Sequence, residues 1–265
     1  MILLLNIYSL RKSIYTSAAS RNVFKFYNKL NFQEKKKQLT FYKKQNSGRN
    51  DSGRIIIRTK TSFLLKKKII KINYNFRYLK LGFVSSFQFI PFKNKLLSLF
   101  YFSNGSFTYH LSNEFQKLFS FIFFNFTKKM SKIKIKNIFF MLFQIKKLSF
   151  VSCLELIPGK NSQYSLSPGT KSRIIKFDYE NHSTMVQLPS GVKKIFSYYS
   201  FVMLGRIALP EHANALNGKA GYWRSFGSKS LVRGVAMNPV DHPNGGRTKS
   251  IKYPRTPWGK TTKFK

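Results

Sequence analysis

"SRIIKFDYENHSTMVQLPSGVKKIFSYYSFVML" runs from Ser172 to Leu204. Short runs of apolar and polar residues partly alternate in it, and turn signals at Asn181-His182 and Pro189-Ser190-Gly191 separate the runs. Such alternation is typical of half-buried β-strands, and clusters of Pro, Gly and Asn mark turns. A further turn at Pro158-Gly159 precedes this stretch. The pattern predicts a small antiparallel barrel over residues 150–204.

The preceding part of the chain carries a similar pattern. The strand-like runs are "RIIIRT" (54–59), "KKKIIKINY" (66–74), "LGFVSSFQFI" (81–90) and "KLLSLFYFSNGSFTYHL" (95–111). The last of these predicts a hairpin with its turn at Asn104-Gly105, because both residues tolerate a positive φ. Several short strands at this spacing favour another small barrel over residues 46–126.

The remaining segments differ from the two barrels. Residues 1–45 are basic and are predicted to be irregular, and residues 127–149 form a Lys-rich linker. Residues 205–265 are rich in Gly and Pro, hold both tryptophans, and predict a long irregular basic C-terminal extension. The apolar runs at 118–126 and 138–143 are too short to cross a membrane, which takes about 20 residues. The predicted fold class is therefore mainly β, with two small antiparallel barrels and this extension.

The charge balance restricts the partners. Lys and Arg number 48 against 8 Asp and Glu, so the formal net charge is +40. A folded body with that charge repels itself unless a polyanion neutralises it, and nucleic acid and an anionic membrane are the two candidates. Cys153 is the only cysteine, which excludes an internal disulfide and a multi-cysteine zinc site. No nucleotide-binding loop or cluster of metal ligands is visible in the sequence.

Two features indicate a mitochondrial setting. Phe, Ile, Lys, Asn and Tyr, whose codons are A/T-rich, dominate the composition, as in an organelle genome. The opening "MILLLNIYSLRKSIYTSAASRN" contains Arg, Lys and Ser and no acidic residue, as mitochondrial presequences do. An ordinary basic extension would have the same composition, and an organelle-encoded chain would need no presequence, so both interpretations of this segment stay open.

The extension combines the residue types that bind RNA. Glycines let a backbone approach phosphates, prolines stiffen an extended path, and Lys and Arg neutralise phosphates. Trp223 and Trp258 can stack on bases. His242 follows Asp241, which raises the possibility of an acid–base site, but adjacent residues of an extended chain usually point apart. We therefore predict RNA packing or phosphate contact for His242, and no catalytic residue.

Four strings of the chain resemble the universal large-subunit ribosomal protein two family. They are "SGRNDSGRIIIRTK" (47–60), the run from "CLELIPGK" at 153 to "LPSGVKKI" at 195, "GKAGYWRSFGSKSLVRGVAMNPVDHPNGG" (218–246) and "TPWGKTTK" (256–263). The strings occur in the order of the family, and the tail string is highly specific. Residues 61–150 match the family only in approximate strand spacing.

The resemblance implies an OB-fold, then an SH3-like barrel, then a tail that binds ribosomal RNA. It implies a non-enzymatic constituent of the large ribosomal subunit that supports subunit assembly and the peptidyl-transferase region. The implied partners are large-subunit ribosomal RNA, neighbouring ribosomal proteins and the small subunit, with no small-molecule substrate. No cofactor is expected, apart from Mg²⁺ ions that the RNA would bind. The residues for which we predict RNA contact are Gly48, Arg49, Asn50, Gly53, Arg54, Arg58, Lys219, Trp223, Arg224, Lys229, Arg233, Asn238, His242, Arg247, Trp258 and Lys260.

The sequence departs from the family pattern at several positions, including the glycine run, which is only Gly245-Gly246 and lacks the acidic residue that usually follows. "TSFLLKK" (61–67) replaces a glycine-rich RNA loop, and Asn244 replaces a second tail histidine. Two other functions remain as alternatives. The chain could be a peripheral membrane protein held by lysines and phenylalanines, or a transferase or hydrolase that uses His242.

Overall fold

The computed structural model describes residues 8–12, 17–20, 23–28, 36–42, 46–61, 68–75, 81–90, 93–123, 138–246 and 253–262. The predictions for Arg247, for "TSFLLKK" beyond Thr61 and for residues 127–137 of the Lys-rich linker lie outside these residues. Within them the protein is mainly β and its sheets are antiparallel, as predicted. The chain forms two compact units: residues 1–43 with 67–219, and residues 44–66 with 220–265.

The first unit contains a four-stranded sheet formed by residues 81–123. Its strands are β5 (Leu81–Ile90), β6 (Lys95–Phe102), β7 (Phe107–Leu111) and β8 (Phe121–Phe123), in the order β7-β6-β5-β8. The bounds of β5 coincide with the predicted strand, and β6 and β7 form the predicted hairpin. A register shift between Val84 and Ser86 marks a bulge in β5.

A six-stranded sheet follows in the same unit. Its strands are β9 (Phe139–Met141), β10 (Phe150–Ser152), β11 (Ser172–Asp178), β12 (Ser183–Gln187), β13 (Lys193–Ser197) and β14 (Phe201–Leu204). They lie in the order β13-β12-β11-β10-β14-β9. The turns predicted at Asn181-His182 and at Pro189-Ser190-Gly191 join β11 to β12 and β12 to β13. Alternate residues of β12 are buried, as the alternation in sequence predicts.

One hydrophobic core joins the two sheets. Leu97 and Phe100 of β6 are buried together with Phe139 of β9 and Phe201 of β14. The His110 ring lies in this core, 5.4 Å from the Phe100 ring and 6.4 Å from the Phe139 ring. A smaller cluster, which includes Val186, lies within the six-stranded sheet.

The N-terminal part of the unit is not wholly irregular, contrary to the prediction. Strands β1 (Tyr8–Lys12) and β2 (Phe24–Asn28) pair with each other, and β3 (Thr40–Tyr42) pairs with β4 (Lys68–Ile70). Aromatic and β-branched residues in these segments favour strands even though the segments are rich in lysine.

The second unit has little regular structure. Its helix is α1 (Ala220–Ser225), and a single 3-10 turn covers Gly234–Ala236. The strand predicted for residues 54–59 is wrong: Ile55 makes only an isolated bridge with Arg49, and Arg58 and Thr59 lie in a turn. Ile55, Ile56 and Ile57 are between 47% and 63% exposed. A strand here would therefore lack the buried face that stabilises strands of β-branched residues.

Candidate nucleic-acid interface

A chain of turns positions the arginines of residues 47–58. The amide nitrogen of Asn50 donates to the carbonyl oxygen of Arg54 at 2.9 Å, and the Asn50 side-chain oxygen accepts from the Arg54 amide at 2.8 Å. Gly53 completes this turn with φ of +79°, a conformation that suits glycine. Arg49, Arg54 and Arg58 are all exposed on these turns. The segment therefore presents three guanidinium groups to solvent on a hydrogen-bonded backbone.

Position 48 requires glycine because the backbone of Ile57 approaches it closely. Its carbonyl oxygen accepts hydrogen bonds from the amides of Ile56 and Ile57 at 2.9 and 3.0 Å. A Cβ atom at this position would lie 2.1 Å from the carbonyl oxygen of Ile57. Gly48 thus shapes the turn that carries the arginines, and RNA contact by Gly48, Asn50 and Gly53 themselves stays a prediction.

Backbone pairing joins this segment to the residues that follow α1. The amide of Lys229 donates to the carbonyl oxygen of Thr59 at 2.8 Å, and the amide of Thr61 donates to that of Gly227 at 2.9 Å. Lys60 and Ser228 form an antiparallel bridge between these two bonds. Two segments that are far apart in sequence, and that both carry predicted RNA-contact residues, therefore form one surface.

A tight turn presents Trp258 on the same surface. The amide of Thr256 donates to the carbonyl oxygen of Lys260 at 2.7 Å, and Gly259, with φ of +81°, donates to the carbonyl oxygen of Thr256 at 2.9 Å. The guanidinium carbon of Arg58 lies 5.3 Å from the centre of the Trp258 ring, a cation–π contact. The indole remains 67% exposed.

These elements surround an open cleft of about 1060 Å³. Its lining consists of Ser47, Arg49, Asn50, Arg54, Ile55, Ile56, Arg58, Lys60, Thr61, Lys229 and Trp258. Five of these side chains are cations and none is a carboxylate, so the positive potential in the cleft has no internal neutralisation. We call this site the basic cleft.

His242 lies away from the lining of the basic cleft, in a compact loop. Its side chain is only 9% exposed, and its Nδ1 accepts a hydrogen bond from the Asn244 amide at 3.0 Å. The ring packs on Gly234, where a Cβ atom would lie 2.4 Å from ring atoms. The amides of Asp241 and His242 both donate to the carbonyl oxygen of Asn238. The His242 side chain therefore stabilises the loop by packing inside it. A general base would instead have to reach a substrate.

The remaining predicted residues occupy other positions. Trp223 and Arg224 lie on α1, where the Trp223 ring, 54% exposed, contacts the Tyr222 ring edge-on at 5.3 Å. Arg233, Asn238 and Lys260 are exposed, and Lys219 is exposed at the end of the first unit. None of these residues lines the basic cleft. RNA contact by them stays a prediction.

Sequence reasoning missed five residues that line the cleft: Ser47, Ile55, Ile56, Lys60 and Thr61. Lys60 lies two residues after Arg58, and this spacing would have placed both cations on the same side of a strand. Ile55 and Ile56 were predicted to lie in a strand, and their apolar character gave no signal of an exposed wall. The hydrogen bond from the Ile56 amide to the Gly48 carbonyl oxygen, which places this wall, is not visible in the sequence.

The described residues offer no metal site and no reactive thiol. They contain no group of three or more His, Cys, Asp or Glu side chains placed to hold a metal ion. Burial raises the pKa of the Cys153 thiol to about 12, so it is protonated at neutral pH. No helix in the described part of the chain is both long and apolar enough to span a membrane.

The fold and the cleft together define a strongly basic, mainly β protein with a cationic cleft suited to a polyanion. Residues 137–259 match the family model of ribosomal proteins L2, C-terminal domain. The large ribosomal subunit protein uL2 of Brucella melitensis biotype 1 is 44% identical over 117 residues, and that of Bartonella quintana is 42% identical over 115 residues. Over this region the chain is similar to ribosomal proteins of the uL2 family.

Each alignment with these two relatives covers 42% of this chain, and the chain spans 41% of the length of the curated relatives it matches. Both relatives are bacterial proteins. The matched region contains the six-stranded sheet, α1, the His242 loop and Trp258. Residues 47–60, which supply most of the cations of the basic cleft, lie outside it.

Proposed function

We propose that the chain is a non-enzymatic structural constituent of the large ribosomal subunit, where it binds ribosomal RNA. The observation that carries this proposal is the basic cleft, in which segments 47–61 and 227–229 and the Trp258 turn converge. Five cations and an exposed indole in one cleft provide both neutralisation of phosphates and a surface for stacking. The printed names of the relatives, which are large ribosomal subunit proteins, support the assignment to that subunit.

The burial of His242 supports a structural role for it. A general base must reach the proton that it abstracts, and a side chain that is 9% exposed and packed on Gly234 is poorly placed to do so. The histidine instead stabilises the loop at 230–246, which the RNA would contact through its exposed residues.

The proposal includes a mitochondrial location and three kinds of partner. The excess of residues whose codons are A/T-rich and the acid-free opening segment support a location in mitochondria. The partners are large-subunit ribosomal RNA, neighbouring ribosomal proteins and the small subunit across the subunit interface, with a role near the peptidyl-transferase region. Mg²⁺ ions held by the RNA would accompany this contact.

Sedimentation in a gradient tests the proposal. The chain should migrate with the large subunit of mitochondrial ribosomes, and ribonuclease treatment should release it. Sedimentation that persists after ribonuclease, or flotation with anionic vesicles, would contradict the proposal and favour a membrane-bound protein. Immunoblotting of purified mitochondria and cytosol tests the location separately, and an exclusively cytosolic signal would refute it.

A further inference from the structure

The basic cleft is lined by apolar as well as cationic side chains. Trp258, Ile55 and Ile56 are exposed by 67%, 47% and 63%, and they share the lining with Arg49 and Lys229. A surface that only neutralised the phosphates of a duplex would need cations and would gain nothing from an apolar wall in water. The wall therefore indicates a ligand that carries both an apolar face and a negative charge.

The contact between Arg58 and Trp258 decides how such a ligand would lie. The separation of 5.3 Å between the guanidinium carbon and the ring centre is too small for a base to enter between them. The indole nevertheless keeps most of its surface exposed, so its free surface lies away from Arg58. Arg58 therefore orients the ring, and the opposite face is available for stacking.

We infer that the basic cleft binds an unpaired nucleotide of a single-stranded RNA segment. Its base stacks on the face of Trp258 that Arg58 does not cover, and the flanking phosphates contact Arg49, Arg54 and Lys229. The base is unpaired because neighbouring bases already cover both faces of a base within a duplex. This inference rests on the proposed function and specifies the form of RNA that this site takes.

The backbone around the cleft supports a preformed site. The Trp258 turn is closed by hydrogen bonds of 2.7 and 2.9 Å, and the pairing of Lys229 with Thr59 fixes the opposite segment. Side chains held on such a frame lose less freedom when the ligand binds. The cleft volume of about 1060 Å³ is slightly above the range of about 300–1,000 Å³ that is usual for small-ligand sites.

The test compares RNA binding by the purified full chain and its variants. The probes are a fluorescein-labelled RNA of about eight nucleotides, within the usual length of single-strand sites, and the same RNA annealed to its complement. Trp258→Ala should weaken single-strand binding about tenfold, as expected for the loss of one stacked base, and should leave duplex binding within about twofold. Trp258→Phe keeps an aromatic face and should stay within about threefold of the parent chain.

Tyr253→Ala is the matched control, because Tyr253 is an exposed aromatic residue of the same unit that does not line the cleft. It should change neither affinity. Tryptophan fluorescence provides a second readout: single-stranded RNA should quench the parent chain more strongly than Trp258→Phe. Because this comparison does not use Trp258→Ala, it tests the inference even if that variant fails to fold.

Two results would overturn the inference. One is an equal loss of single-strand and duplex binding in Trp258→Ala, and the other is quenching that is the same in the parent chain and Trp258→Phe. If either occurs while the chain still migrates with the large subunit, the nucleotide site alone is refuted. If the chain does not migrate with that subunit, the proposed function fails as well.

Discussion

The packing of His242 on Gly234 helps to fix the loop at 230–246, together with the backbone hydrogen bonds to the carbonyl oxygen of Asn238. The imidazole occupies the space that any side chain at position 234 would need. The Asn244 amide donates to His242 Nδ1, and the Asn244 side-chain oxygen accepts from the Arg255 amide at 3.3 Å. The histidine is therefore connected through Asn244 to the turn that carries Trp258.

Gly234→Ala should destabilise the protein by about 1–3 kcal/mol, because the new methyl group displaces the His242 ring. Urea unfolding followed by circular dichroism measures this change, and limited proteolysis should show faster cleavage within 230–246. Gly221→Ala is the matched control. Gly221 lies in α1, and apart from its chain neighbours and the backbone of its own helix no atom lies within 4 Å of the place that a methyl group there would occupy, so alanine should be neutral or should stabilise by up to about 1 kcal/mol. Equal effects of the two substitutions would contradict the packing role.

Burial gives His110 a pH-dependent effect on stability. Burial lowers the pKa of His110 from 6.5 to about 3, so the folded state keeps the ring neutral while the unfolded state protonates it below about pH 6.5. The unfolded state then binds more protons, and the contribution of this group to stability is lost as the pH falls from 6.5 towards 3. The expected slope is at most about 1.4 kcal/mol per pH unit.

Urea unfolding at intervals between pH 7 and pH 4 checks this prediction. His110→Gln should have a shallower pH dependence than the parent chain, whatever its stability at pH 7. His182→Gln, which makes the same replacement at an exposed histidine, is the matched control. A slope in His110→Gln that equals that of the parent chain would show that other groups cause the acid sensitivity.

At the scale of elements, the sequence predicts strands well where one face is buried and poorly where none is. Strand β5 was predicted with correct bounds because alternate residues enter the core and Pro91 ends the run. The hairpin was also predicted correctly, although Phe102 and Ser106 enclose a three-residue loop in which only Gly105 has a positive φ. Residues 54–59 are richer in β-branched residues than β5, with three isoleucines and a threonine, but the isoleucines are exposed and the segment follows the turn that Gly48 permits.

Substitution of Gly48 and of Gly53, the two glycines of the turn that carries the arginines, should destabilise the protein to different extents. Gly48 and Gly53 both have φ near +79°, so alanine at either position costs about 1–2 kcal/mol of backbone strain. Only at Gly48 does a methyl group also meet a backbone carbonyl, at 2.1 Å, and this overlap adds about 1–3 kcal/mol. Gly48→Ala should therefore be cleaved faster than Gly53→Ala by protease within 46–61 and should bind RNA more weakly. Similar behaviour of the two variants would refute the role of the close approach.

At the scale of the whole molecule, the candidate site could be predicted in its parts but not in its assembly. Basic residues, glycines and tryptophans identified both 47–58 and the C-terminal extension from composition and motif alone. The bridge between Lys60 and Ser228 depends on backbone bonds between remote segments, and the apolar run at 54–59 predicted a strand without indicating this partner. Local patterns determine turns and strands, whereas the position of one irregular segment against another depends on contacts that no periodicity encodes.

The basic cleft predicts how salt affects RNA binding by the whole chain. If the chain contacts six to ten phosphates, its affinity for RNA should fall by about 10³–10⁵ between 50 and 200 mM salt, because each contact releases counterions. Arg54→Gln should lower the slope of log affinity against log salt by about 0.7–0.9, the value for one phosphate contact. Lys160→Gln removes an exposed cation of the first unit outside the cleft and should leave the slope unchanged. Filter binding at several salt concentrations measures both slopes. Equal slopes for the two variants would mean that the charge of the whole chain, rather than the cleft, determines RNA affinity.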